Sequence, residues 1–215
     1  GDTAVVGATG DDVGANVDSK PEHVAQFALM GAVYAEEVLG VARPRIGVLS
    51  VGEEDGKGTE LTRATSQALR ELDINFGGNA EGRDIWNGNF DVVACDGFVG
   101  NALLKSAEAL AEGILHGLKD SIMSGWLSRL GGLLAKSAMR RFVKKLDYAE
   151  YGGAPLLGIQ GVSIIGHGRS DGRAVASGIR AAVLACEHRI NEHIQASLHR
   201  MLPQAAPVGD GGNAA

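Results

Sequence analysis

The sequence predicts an α/β fold, a mostly parallel sheet with helices on both faces. Three observations carry the prediction. Short apolar runs alternate with longer stretches of helical period in the order βαβαβα. Most runs end in a polar, glycine-rich turn. Glycine is abundant, 32 of 215 residues, while aromatics make up only 5%, which suits many tight junctions between strand and helix.

Residues 1–12, GDTAVVGATGDD, read as a ragged start whose apolar content is Ala4-Val5-Val6. Val13 to Asp18 reads as a strand end and turn. Ser19-Lys20-Pro21-Glu22 opens a helix, with proline near the first helical position. Val24, Phe27, Ala28, Gly31, Val38 and Leu39 form its apolar face up to Gly40. Arg45 to Val51 is a buried strand, followed by the charged loop 52–58, GEEDGKG. Thr59 caps the next helix, which runs to about Leu72 with Leu61, Ala64, Ala68 and Leu69 inward. Ile74 to Phe76 is a short strand and 77–84 a glycine-rich loop. Phe90 to Asp96 is a strand that leads into a glycine-bracketed loop, Gly97 to Asn101. A long helical region follows to about Leu146, with a turn or kink expected at Gly125 and at Gly131-Gly132. Leu156 to Ile165 reads as one strand, or as two broken at Gly158 and Gly161. A turn at His167–Ser170 precedes a last helix, capped by Ser170 or Asp171 and running to about Met201. Residues 13–202 are taken as one α/β domain with a helical hairpin at about 103–146, and 203–215 as a tail disordered by composition.

The formal charge of −6 argues against general nucleic-acid binding. No run approaches the roughly eighteen apolar residues of a membrane span, and no signal peptide is visible. Cys95 and Cys186 have no metal-type spacing and read as reduced thiols of a cytosolic protein. There is no internal repeat and no metal motif.

Ligands of parallel sheets bind beyond the carboxyl ends of the strands. The loops there offer Asn16, Asp18 and Lys20, then Glu53 and Lys57, then Asn79, Glu81 and Arg83, then Asp96, Asn101 and Lys105, and His167 with Ser170. Cations and backbone N–H donors beside a helix start suit phosphate. Singly, each residue also reads as a solvated loop charge or a cap. GEEDGKG is not a phosphate loop, because its glycines are misplaced and Gly58 stands where Ser or Thr belongs. No dinucleotide fingerprint follows a strand and no serine elbow is present. His167, with no triad-type partner nearby, reads as a turn or packing residue before a base.

Ser121 to Leu146 contains no acid, but holds Arg129, Lys136, Arg140, Arg141, Lys144 and Lys145. Trp126, Leu127, Leu130, Leu133 and Leu134 lie among them. Such a stretch is a solvated face over a packed one, a dimer contact, or a surface for an anionic membrane or acidic partner.

Five runs carry a resemblance: GANVDSKPEH (14–23), PRIGVLSVGEEDGKG (44–58), GNAEGRDIWNG (78–88), DVVACDGFVGNALLK (91–105) and EYGGAPLLGIQGVSIIGHGRS (150–170). In this order they resemble the bacterial phosphate acyltransferases of the PlsX type. The resemblance implies a fold like the isocitrate and isopropylmalate dehydrogenases. It also implies transfer of a fatty acyl group from acyl-acyl-carrier-protein to orthophosphate for phospholipid synthesis, without a cofactor or metal. The expected partners are acyl carrier protein, orthophosphate, an anionic membrane surface and a second copy of the chain. The expected location is cytoplasmic and peripherally membrane-associated.

Orthophosphate would be the nucleophile, so the site needs anion donors and an oxyanion stabiliser. Lys20, Lys57, Arg83, Gly97, Gly100 and Asn101 are the expected phosphate ligands. Lys20, Asn79, Arg83, Asn101, Lys105 and His167 are the expected catalytic residues. Trp126, Leu130, Leu133, Leu134, Lys136, Arg140, Arg141, Lys144 and Lys145 are expected to meet carrier or membrane. Three features depart from the family pattern. An N-terminal portion opening with a D-A-M-G-G-D type motif does not appear, which leaves a shared site incomplete. GATGDD is not the apolar strand expected before GAN. Ser19 stands where many members have cysteine. The rival readings are a short-chain phosphate acyltransferase that uses coenzyme A, or an inactive membrane- or carrier-binding fragment.

Overall fold

The computed structural model describes residues 4–6 as backbone, then 19–145, 153–166, 168 and 170–201, without the side chains of 140 and 143–145. The expectations for Val13–Asp18, Tyr151-Gly152, His167 and the tail beyond Met201 lie outside these residues.

Four parallel strands lie in the order β1-β4-β2-β3: β1 (Ala4–Val6), β2 (Ile46–Leu49), β3 (Phe76–Ala80) and β4 (Val92–Ala94). Around them run α1 (Pro21–Glu37), α2 (Glu60–Arg70), α3 (Gly82–Asn87) and α4 (Gly97–Met123). The fold is α/β with helices on both faces of a parallel sheet, as the alternation predicts. Both faces are covered, so β1, β2 and β4 read as continuous apolar runs. Ile46, Val48, Val92 and Ala94 point to one side, against Val24, Ala25 and Ala28 of α1 and Leu69 of α2. Ala80 and Val93 point to the other, against Ile85 of α3 and Phe90, with Leu49 and Leu103 packed on them. Gly47 permits the second layer, because a Cβ there would stand 2.8 Å from the Phe90 ring. Arg45 covers that ring from outside, its guanidinium 4.9 Å from the centroid.

Pro21 occupies the first helical position of α1, and Thr59 caps α2 by accepting from the Thr62 N–H at 3.2 Å. Three expectations change here. The glycine-rich stretch 77–80 is strand, not loop: β3 runs through Gly77-Gly78-Asn79-Ala80 and α3 follows at once. The strand was missed because glycine has poor strand propensity; its pairing with β2 overrides that preference. Gly97 to Asn101 is the first turn of α4, not a loop. The helical region breaks once, at Ser124-Gly125, before α5 (Trp126–Lys145). Gly131-Gly132 stays helical, and a Cβ on Gly132 would overlap Ile122, so that glycine marks the close approach of α5 to α4.

The last region also differs. β5 (Ala154–Pro155) and β6 (Ile164–Ile165) form a separate antiparallel pair rather than joining the parallel sheet. The final helix is two: α6 (Gly172–Glu187), capped by Asp171, and α7 (Ile190–Met201). They part at Arg189, whose φ of 48° ends the helical ladder. Ala185, Ile190 and Ile194 close over Met30 and Val33 on the outer side of α1. Burial there raises the pKa of the Tyr34 hydroxyl. Among the described residues, no helix is long and apolar enough to cross a membrane.

Candidate functional site

The carboxyl ends of β2, β3 and β4 open on a groove of about 520 Å³. Its floor is Val24, Val48, Leu49 and Cys95; its walls are Leu61, Thr62 and Thr65 from α2 and Val99, Ala102, Leu103 and Ser106 from α4. Thr59, Gly82 and Asp96 at its mouth mark the amino ends of α2, α3 and α4, and Val24 lies in the first turns of α1. A parallel sheet delivers this arrangement, because every strand that feeds a helix does so at the same edge. A larger cavity of about 730 Å³ lies among α1, α7 and residues 71–75. There His193 stands 2.8 Å from Glu37 and Arg43 4.0 Å from Asp73, and acids and bases are mixed along the lining. The carboxyl edge, with its helix starts, is the better place for an anion.

Asp96 decides the character of the α4 start. Its carboxylate accepts from the Val99 N–H at 2.8 Å, and Gly100 donates to its carbonyl at 3.0 Å. The N–H groups of Gly97 and Phe98 keep no partner among the described residues. The cap thus takes one donor for itself and adds a negative charge beside the two that remain.

The charged loop Gly52 to Gly58 is tied down. Arg83 donates to Glu53 at 2.6 Å and stands 3.3 Å from Glu81. These contacts raise its pKa, the Glu53 hydrogen bond foremost. Asn79 is buried; its amide donates to the Glu54 carbonyl at 2.9 Å and its oxygen accepts from Ser66 at 3.1 Å. Arg70 pairs with Asp55, and Arg63 donates to the Gly58 carbonyl at 2.6 Å. Asp84 holds the end of β3: it accepts from the Glu81 N–H at 2.8 Å and from Asn89 at 2.8 Å, which lowers its pKa, the backbone bond being the larger cause.

The predicted residues therefore divide. Asn79 and Arg83 serve the loop. Lys20 occupies the position before α1, its N–H donating to His23 Nδ1 at 3.3 Å, and Lys57 lies in the charged loop; both are exposed and have no ion pair among the described residues. Gly97 and Gly100 are buried on the inner side of α4, and Asn101 and Lys105 are exposed beyond them. None of Lys20, Lys57, Arg83, Asn101 and Lys105 lines the groove itself. Sequence reasoning missed Ser50. It lines the groove and its hydroxyl is buried with no hydrogen-bond partner among the described residues. Only its place at the end of an apolar strand marked it. Among the described residues no cluster of His, Cys, Asp and Glu could hold a metal.

The sequence profile described as "Fatty acid synthesis protein" matches residues 10–193. The chain belongs to that family. A relative named "Phosphate acyltransferase" in Aquifex aeolicus (strain VF5) is 48% identical over 197 residues, 92% of this chain and 58% of the relative. Proteins of the same name in Pelotomaculum thermopropionicum and Geobacter sp. (strain M21) are 48% and 52% identical, each over 94% of this chain and 58% of their own length. The chain thus spans about 58% of these fatty acid synthesis family relatives.

Proposed function

We propose that this chain is part of an acyltransferase that moves a fatty acyl group from acyl-acyl-carrier-protein to orthophosphate, giving an acyl phosphate for phospholipid synthesis. The supporting observation is the convergence of four helix amino ends on one edge of the sheet, in a family whose relatives bear the name phosphate acyltransferase. In the reaction, a phosphate oxygen attacks the thioester carbonyl carbon. The C–O bond forms, the C–S bond breaks as the tetrahedral adduct collapses, and the carrier thiolate leaves with the proton that phosphate gives up. Lys20, Lys57 and the free N–H groups at Gly97 and Phe98 neutralise the incoming anion, with Gly100 letting it approach α4. Asn101, Lys105 and His167 are the donors assigned to the oxyanion. Arg83 and Asn79 act by holding the loop that carries Lys57.

The α4–α5 hairpin is assigned to the partners. Trp126, Leu130, Leu133 and Leu134 are exposed, as is Lys136, while Arg140, Arg141, Lys144 and Lys145 follow on α5. This suits an acidic carrier protein, an anionic cytoplasmic membrane surface, or a second copy of the chain. The test is acyl phosphate formation from acyl-carrier-protein against acyl-coenzyme A. Lys20→Ala and Lys57→Ala are expected to raise KM for orthophosphate about tenfold, and Asn101→Ala to lower kcat about tenfold or more. Unchanged kinetics in all three sinks the site. Equal use of short acyl-coenzyme A favours the coenzyme A reading, and no turnover favours the inactive fragment.

A further inference from the structure

We propose that the groove between α2 and α4 holds the alkyl chain of the acyl group, and that Ala102 and Ser106 limit the chain length it takes. The inference rests on the acyl-transfer reading and gives that site its second half. The groove volume of about 520 Å³ lies in the range of small-ligand sites. Its floor and far wall are Val48, Leu49, Leu61 and Leu103, so a ligand lying along them must leave water without needing hydrogen bonds. A sugar, nucleotide or peptide would bring donors and acceptors that these side chains cannot satisfy. An unbranched chain brings none.

The rim supports the same occupant. Val51 is 80% exposed and Phe98 63% exposed, and they stand on the two sides of the mouth, at the end of β2 and the start of α4. Ser50, Thr59 and Asp96 stand at that end too, beside the free N–H groups of α4, while on the α2 wall the Thr62 and Thr65 hydroxyls donate to the carbonyls of Thr59 and Pro21. A molecule with one charged end and one alkyl end fits this division, its head at the helix starts and its tail between α2 and α4. Ala102 and Ser106 are one helical turn apart on the α4 wall. Both are exposed, so larger side chains there fill the groove without entering the core.

The test is displacement of a fluorescent polyene fatty acid by octanoate, dodecanoate and hexadecanoate, without turnover. Wild-type affinity is expected to rise about fourfold per added methylene until the groove is full. Ala102→Trp and Ser106→Phe are each expected to weaken hexadecanoate by about tenfold or more, and Ser106→Phe, deeper along α4, to leave octanoate unchanged. Ala109→Trp, outside the groove on the same helix, is expected to change neither. Two wall variants guard against one that fails to fold, as a thermal melt would reveal. The proposal is overturned if hexadecanoate binds wild type and both wall variants alike, or if affinity does not grow with length. Chain-length-dependent binding without acyl phosphate formation would leave the groove standing and remove the enzymatic reading.

Discussion

Cys95 and Asp96 are neighbours with opposite environments. Burial, and then the charge of Asp96, push the Cys95 thiol up to about 12. The thiolate is the reactive form, so almost none is present near pH 8. Cys186 is exposed on α6. Alkylation of the native protein at pH 8 is expected to label Cys186, with Cys95 reacting only after unfolding. Peptide mass mapping reads the outcome, and equal labelling of the two in native protein would refute it. Asn79 and Arg83 show how far residue type alone reaches. An amide and a guanidinium in a glycine-rich stretch suit an anion site, but strand pairing sets Asn79 inward, where Ser66 and the Glu54 carbonyl claim it. Ser50 is the converse: an unremarkable serine whose hydroxyl tertiary packing leaves buried and without a hydrogen-bond partner among the described residues.

Among the elements, the start of α4 has a cap that works in two directions. The Asp96 carboxylate satisfies the Val99 N–H and interacts well with the helix dipole, but it repels an incoming anion at the same place. Asp96→Ala is expected to cost about 1 kcal/mol of stability while lowering KM for orthophosphate. Urea denaturation and initial rates test both halves. A stability loss with unchanged KM would mean the anion does not sit at this helix start. Thr59, Asp96 and Asp171 stand one residue before their helices and accept from them, but only the cap at Thr59 and the choice of Ser170 or Asp171 were readable from local sequence. The roles of the glycines were not. Gly125 lies at a helix break, whereas Gly132 permits helix–helix contact, and the difference is whether Ile122 approaches.

Across the whole molecule, the parallel sheet concentrates the helix starts at one edge, and the hairpin carries the acid-free stretch away from the core. Trp126 and Leu134 are 75% and 80% exposed. Replacing Leu130, Leu133 and Leu134 by Ser is expected to leave the thermal melt unchanged and to cut binding to anionic vesicles about tenfold or more. Sedimentation with vesicles reads the effect. A lowered melting temperature with unchanged sedimentation would place these leucines in a contact with protein instead.

The sequence by itself determined the alternation of strand and helix, the parallel sheet, the Thr59 cap and the basic apolar hairpin. Each depends on hydrogen bonds within a turn or on a short hydrophobic period, which neighbouring residues specify. The family resemblance was likewise readable, from motifs taken in order. Tertiary structure alone decided that 77–80 is a strand, that the Gly97 turn belongs to a helix, and that β5 and β6 stand apart from the main sheet. It also decided that Arg83 and Asn79 clamp a loop and that an apolar groove lies between α2 and α4. These depend on which distant segments meet, and contact across dozens of residues leaves no local period to read.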